Sequence, residues 1–257
     1  MSSSYRIQAA TGIHRGDREY QQDQVLLMAH PYAKGCILGV VADGMGGRSG
    51  GRKASDQVML TARQVFERFE PAKEDCTRML RTIVQDAHTV IRLTAIAAEQ
   101  EPHSTIAVFV VLPDSRCHFM HSGDSRLYHF RGSSLVHRSL DHSYVQALVD
   151  RGELTETEAQ HHPQSNILLG CLGAAAAPPM EHHVIAKLQP GDSLMACSDG
   201  LWHYFTAQEL GTVLDGLSPR EASQFLIEKA RRRAAGSGDN LSLAILKLDT
   251  SAAAANA

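Results

Sequence analysis

At 257 residues, 43% apolar and 21% charged, the chain has ordinary globular composition and enough length for a sizeable core. A formal charge of -3 gives no reason to expect nucleic acid or an anionic membrane as the main partner. No apolar run approaches the roughly 20 residues of a membrane span. The five cysteines (Cys36, Cys76, Cys117, Cys171, Cys197) are odd in number and never at C-x-x-C spacing, which favours buried thiols over bridges or zinc ligands. The N-terminus lacks the apolar core of a signal peptide, so the expectation is a reduced, cytoplasmic protein.

Residues 5–11 and 25–29 read as short strands around a connection that carries Arg18, Gln21, Gln22 and Asp23. Residues 36–42 form an apolar run, a buried strand that ends on Asp43 in the turn Gly44-Met45-Gly46-Gly47. From 51 to 69, Ala54, Val58, Ala62, Val65, Phe66 and Phe69 fall at helical spacing. Pro71 breaks the pattern, and a second stripe (Met79, Leu80, Ile83, Val84, Ala87, Val90, Ile91, Thr94) predicts a partner helix laid antiparallel over a sheet. Strands follow at 106–112, 117–120, 127–130 and 135–137, close enough in sequence to imply antiparallel pairing. Residues 141–150 and 155–159 read as short helices, and 161–179, with its run of alanines before Pro178 and Pro179, as a mobile surface excursion. Strands at 183–187 and 193–197, helices at 207–215 and 220–233, and a strand at 241–248 complete the pattern before a frayed tail at about 250–257. Arg231, Arg232 and Arg233 suit a helix C-terminus better than a nucleic-acid patch. No internal repeat or linker is visible, so a single α+β domain over 1–257 is predicted: two antiparallel β-sheets flanked on both outer faces by pairs of α-helices, a four-layer sandwich.

The glycine-rich turn after Asp43 is not a nucleotide loop. The dinucleotide fingerprint fails at Ser49, and the triphosphate loop fails at Arg52 where it needs lysine. Taken alone, Asp43 reads equally as a cation ligand or as a helix cap. Yet Asp23, Asp124, Asp199 and Asp239 also stand at the edges of apolar strands, usually beside glycine. Carboxylates that converge repel one another, and divalent cations relieve that repulsion. An oxygen-only set points to magnesium or manganese, not zinc, and two such ions make a hydrolytic centre for phosphate esters. Among the fourteen histidines, His161-His162, His182-His183 and His118/His121 offer no sensible ligand set and read as surface or core positions.

Taken in order, the motifs resemble one family. They are Gly16-Asp17-Arg18, Gln21-Gln22-Asp23, Val41-Ala42-Asp43-Gly44-Met45-Gly46-Gly47, Ser104-Thr105, Gly123-Asp124-Ser125, Leu140-Asp141-His142-Ser143, Ser198-Asp199-Gly200-Leu201-Trp202 and Gly238-Asp239-Asn240. Over about 5–248 the chain is similar to the metal-dependent serine/threonine protein phosphatases of type 2C (PPM), in their compact bacterial form. The resemblance implies the sandwich fold described above. It also implies that Asp43 bridges two manganese or magnesium ions with help from the Gly44 carbonyl. Asp199 and Asp239 would complete the first site and Asp23 would lie on the second. Asp124 with Asp199 would hold a third, looser ion, Arg18 would bind the substrate phosphate, and Asn240 would support the Asp239 turn. The segment at about 144–179 matches the family's flap beside the active site.

Three positions depart from the common pattern. Gln22 stands where many members carry an acidic residue, Met45 where animal members place a histidine proposed as general acid, and His103 where glycine commonly precedes Ser104-Thr105. The function implied is hydrolysis of phosphoserine and phosphothreonine by a metal-activated water, opposite a bacterial serine/threonine kinase, in a monomeric protein whose partners are phosphoprotein substrates. The rival readings are a catalytically silent phosphoprotein-binding module and a regulatory phosphatase dedicated to one partner, such as an anti-sigma-factor antagonist.

Overall fold

The computed structural model describes residues 5–98 and 101–250. In chain order the elements are β1 (Tyr5–His14), β2 (Gln24–Ala29), β3 (Ile37–Ala42), β4 (Gly44–Met45), α1 (Gly47–Arg68), α2 (Cys76–Ala98), β5 (His103–Ser104), β6 (Ile106–Val111), β7 (Cys117–Ser122) and β8 (Arg126–Arg131). There follow β9 (Ser134–Arg138), α3 (Tyr144–Asp150), α4 (Glu156–Gln160), β10 (Glu181–Ile185), β11 (Asp192–Cys197), α5 (Asp199–Trp202), α6 (Ala207–Gly216), α7 (Pro219–Ala234) and β12 (Leu241–Thr250).

Two five-stranded sheets, ordered β1-β12-β11-β8-β9 and β10-β7-β6-β3-β2, stack face to face, and every named pairing is antiparallel. Strand alternation explains the layering. On β12, Ala244, Leu246 and Leu248 point into the inter-sheet core, while Leu241, Leu243 and Ile245 point outward beneath α6 and α7. On the second sheet, Phe109 and Val111 face inward, while Ile106, Val108 and Val110 meet the stripes of α1 (Val58, Ala62, Phe66) and α2 (Leu80, Ile83, Val84, Ile91). Three apolar layers thus separate four layers of backbone.

The expected helices and strands are present, most of them a few residues longer than their apolar stripes. Ser143 sets the start of α3 by accepting the Gln146 N–H at 3.2 Å, so that helix begins later than the expected residue 141. The same chemistry caps α6 and α7, where Thr206 with Glu209 and Ser218 with Glu221 form reciprocal capping boxes. The last turn of α7 carries Arg231, Arg232 and Arg233, and Arg233 reaches Glu209 and the Tyr204 carbonyl. Three elements were not foreseen: the short β4–β5 pair and α5, which starts at Asp199.

The excursion after α4 differs from a mobile loop. Ser104 and Leu172 exchange both backbone hydrogen bonds, at 3.1 and 2.8 Å, and Gly173 N–H donates to His88 Nδ1 at 3.1 Å. Leu172 is fully buried, so the segment is anchored by apolar burial as well as by backbone pairing. Of the tail expected to fray at about 250–257, Thr250 instead closes β12 and the rest lies outside the described residues.

Candidate metal centre

The inward-facing alternation of the two sheets continues past the strand ends, and there the side chains turn polar. Asp23 precedes Val25 by two, Asp43 follows Val41, Thr105 precedes Ala107, Ser125 precedes Leu127, Ser198 follows Ala196, and Ser242 precedes Ala244. A period of two therefore carries all six toward one end of the sandwich core. Asp23 is 1% exposed, and its Oδ2 accepts from Ser198 Oγ at 2.6 Å and Ser242 Oγ at 2.8 Å. Thr105 holds Asp43 by its backbone. Asp43 N–H donates to Thr105 Oγ1 at 2.9 Å, Thr105 N–H donates to the Asp43 carbonyl at 2.8 Å, and Ser125 Oγ lies 2.6 Å from Thr105 Oγ1.

Above this floor opens a cleft of ≈ 490 Å³ whose walls include Arg18, Asp43, Gly44, Met45, Asp124, Asp199, Asp239 and Asn240. Asp23 is not on the wall; it lies beneath it. The glycines at this corner allow backbones to touch. A Cβ on Gly44 would sit 2.0 Å from the Gly51 carbonyl oxygen, and one on Gly200 2.0 Å from that of Asn240. Asn240 ties the corner together. Its Oδ1 accepts from Gln22 N–H at 2.6 Å, and its Nδ2 donates to the carbonyls of Arg15 and Tyr20 at 2.8 and 2.9 Å. Arg18 Nη2 donates to Asp239 Oδ2 at 2.5 Å, with the guanidinium largely exposed at the rim.

Electrostatically the corner is crowded. Burial pushes the Asp23 carboxyl up to about 7, against the two serine hydroxyls that pull it down. Burial, then the charge of Asp239, pushes Asp199 up to about 6. Asp43 is held well above the carboxylate range by burial and by Asp23, Asp199, Asp124 and Asp239; Asp124 is raised likewise by burial and by Asp199. Oδ1 of Asp23 and Oδ1 of Asp199 are buried and receive no hydrogen bond from the protein. Buried carboxylates with orphaned oxygens, and few cationic side chains to pair with them, fit hard divalent cations.

Sequence reasoning singled out the carboxylates, Gly44, Arg18 and Asn240, and the structure brings all of them to one corner. It missed Ser198, Ser242 and the bond from Thr105 to Asp43, although counting in twos from the apolar strand residues points to each. The departures also gain a setting. Gln22 Nε2 donates to the Gly47 carbonyl at 2.6 Å, linking its loop to the start of α1, and His103 pairs with Met45 across β4–β5.

A different group of metal-competent side chains lies at the sandwich edge: His121, His142 and Glu181, whose ligand atoms fall within 4.8 Å of one another. His121 was expected to have no sensible ligand set, and this proximity corrects that expectation. The geometry still disfavours an ion. His121 Nε2 donates to the Leu140 carbonyl at 2.7 Å, and His142 Nδ1 accepts the Gly123 N–H at 3.1 Å. The rings stack at 4.6 Å with planes 11° apart, so their in-plane lone pairs run parallel instead of converging.

The profile of the Protein phosphatase 2C family matches residues 12–235. A protein phosphatase 2C-type of Streptococcus pyogenes is 32% identical over 217 residues, 83% of this chain and 86% of that protein. The crystal structure of the Mycobacterium tuberculosis serine/threonine phosphatase PstP superposes with a TM-score of 0.82 at 27% identity, covering 95% of this chain and 99% of that one. The PstP catalytic domain in complex with two manganese ions superposes with a TM-score of 0.78 at 25% identity, covering 95% and 98%. The chain belongs to the protein phosphatase 2C family of metal-dependent serine/threonine protein phosphatases.

Proposed function

We propose that the carboxylate corner is the active centre and that its residues divide the work as follows. Asp43 would serve both of two manganese or magnesium ions, with the Gly44 carbonyl helping one of them; Asp199 and Asp239 would complete the first site, Asp23 would serve the second, and Asp124 with Asp199 would hold a looser third. The observation that carries this reading is the convergence of Asp23, Asp43, Asp124, Asp199 and Asp239 at one corner, with Oδ1 of Asp23 and of Asp199 left without a hydrogen-bond donor. In such a centre the ions lower the pKa of a water and neutralise charge on the phosphoryl oxygens.

The chain's own residues supply the rest. Arg18 needs only to leave Asp239 to present parallel N–H donors to a phosphoryl group at the rim. Among the described residues the walls of this cleft carry no serine, cysteine or histidine, and its aspartates are taken up as metal ligands in this reading, so the attacking group is assigned to water. Met45 offers no proton, which leaves protonation of the departing hydroxyl to solvent. Asn240 keeps the Arg18 loop registered against Asp239. We further propose a single-domain, cytoplasmic monomer that acts on phosphoproteins opposite a serine/threonine kinase. Among the described residues, no helix is long and apolar enough to cross a membrane.

The test is hydrolysis of a phosphothreonine peptide with manganese, with chelator, and by Asp199→Asn with manganese. Activity should require manganese and fall at least about a hundredfold in the variant, the scale of losing one electrostatic stabiliser. Activity that survives both treatments would overturn the two-metal reading. A folded but inert wild-type protein would favour a silent binding module.

A further inference from the structure

Asp124 lies in the β7–β8 connection, which Ser125 ties to Thr105 beneath Asp43, and a further device fixes it from the side of Asp199. Trp202 lies in α5, the four-residue helix that begins at Asp199, and its Nε1–H donates to the Asp124 carbonyl at 2.9 Å. The indole is clamped from above: the Arg126 guanidinium carbon lies 3.4 Å from the ring centroid. Arg126 in turn gives two parallel hydrogen bonds to Asp141, both at 2.8 Å, with both side chains nearly buried. The next residue, His142, grips the other side of the same turn. Its N–H donates to the Gly123 carbonyl at 2.9 Å, and its Nδ1 accepts the Gly123 N–H at 3.1 Å.

We propose that Trp202 is a positioning residue, a brace that sets the separation of Asp124 from Asp199 and so the affinity of the outermost ion they share. This rests on the metal reading above. Trp202 touches no reacting atom; it acts by joining the α5 turn that carries Asp199 to the loop that carries Asp124. A stacked, ion-paired guanidinium is a stiff backing for this, since its planar face matches the indole and two of its donors are held by Asp141. Trp202, Arg126 and Asp141 also line a cavity of ≈ 230 Å³ that opens beside Asp124, Asp199 and Asp239.

Trp202 is the only tryptophan in the chain, which makes the test direct. Calorimetric titration of manganese into wild type should resolve a tight class of ions and a weaker one. Trp202→Phe keeps an aromatic ring under Arg126 but removes the N–H and part of the stacking face. It should weaken the weaker class about tenfold and leave the tight class unchanged. Asp141→Asn, which leaves every cleft carboxylate in place, should act in the same direction. In wild type, the single indole N–H resonance should exchange slowly and shift in a magnesium titration with the midpoint of the weaker class that magnesium calorimetry resolves under the same conditions. Unchanged binding in Trp202→Phe, equal loss of both classes, or an indole resonance blind to the weaker class would each overturn the brace. Failure of wild type to bind manganese at all would instead remove the metal reading beneath it.

Discussion

Asp23 shows how much a single side chain can cost the fold that carries it. Its carboxyl titrates at about 7 in the folded protein because burial disfavours the anion, whereas the unfolded chain releases the proton near 4. The folded state therefore binds more protons between those values, and the metal-free protein loses stability from this group as pH rises from about 4 to about 7. Asp23→Asn keeps the shape, and the hydroxyls of Ser198 and Ser242 can turn to suit the amide. We expect the variant to be more stable than wild type in chelator at pH 7.5, by roughly 1–2 kcal/mol, and to bind manganese more weakly, a trade of stability for function. Thermal denaturation with and without manganese checks both; a variant less stable in chelator would contradict the burial argument. At this scale the sequence was most legible where chemistry left a composition signal, a carboxylate beside glycine at a strand end. Ser198 and Ser242 are ordinary turn residues by type. Their role depends on which face of a strand they occupy, and an isolated dipeptide does not carry that information.

At the scale of elements, stripes of apolar residues announced every long helix and most strands, because a period of 3.6 or 2 needs about two turns or four residues to be visible. The β4–β5 pair and α5 are too short for either period, and both lie where backbone is bent toward the cleft. Register is equally invisible until strands are paired. Gly39 of β3 stands directly opposite Phe109 of β6, and the ring lies across it: a Cβ on Gly39 would fall 2.2 Å from Phe109 Cζ. Gly39→Ala should thus cost about 1–3 kcal/mol, the usual range for overpacking, since Phe109 is fully buried between the sheets with Phe119 beside it. Most of that loss should disappear in a Phe109→Leu background, giving a coupling energy that denaturant titration of the four-protein cycle would measure. Additive losses would mean that the glycine is required by backbone conformation and not by the ring.

For the whole molecule, the two sides of the sandwich are closed differently. Near β1 and β2, Ile7, Val25 and Leu27 seal the gap between the sheets. Near the opposite edge, where β10 and β7 face β8 and β9, imidazoles do so. His137 of β9 stacks on His183 of β10 at 3.6 Å with planes 7° apart, and His121 stacks on His142. Burial, then the neighbouring His183, His129 and His121, pushes His137 down to about 4; burial, then His121, does the same to His142. The unfolded chain would protonate these rings near 6.5, so their contribution to stability is present above that pH and is lost as pH falls from about 6.5 toward 4. This runs against the carboxylate corner, which gains stability over part of the same window, so a single pH profile mixes the two. Comparing wild type with His137→Phe separates them, since the carboxylates are common to both proteins. Phenylalanine retains a ring to stack on His183 but cannot take a proton. In chelator, the difference in stability between wild type and variant should change by roughly 2 kcal/mol from pH 7 to pH 4.5, in favour of the variant at low pH, after allowing for solvent screening of this partly exposed edge. A difference that stays constant across the range would show that charging of His137 is not what weakens the edge in acid.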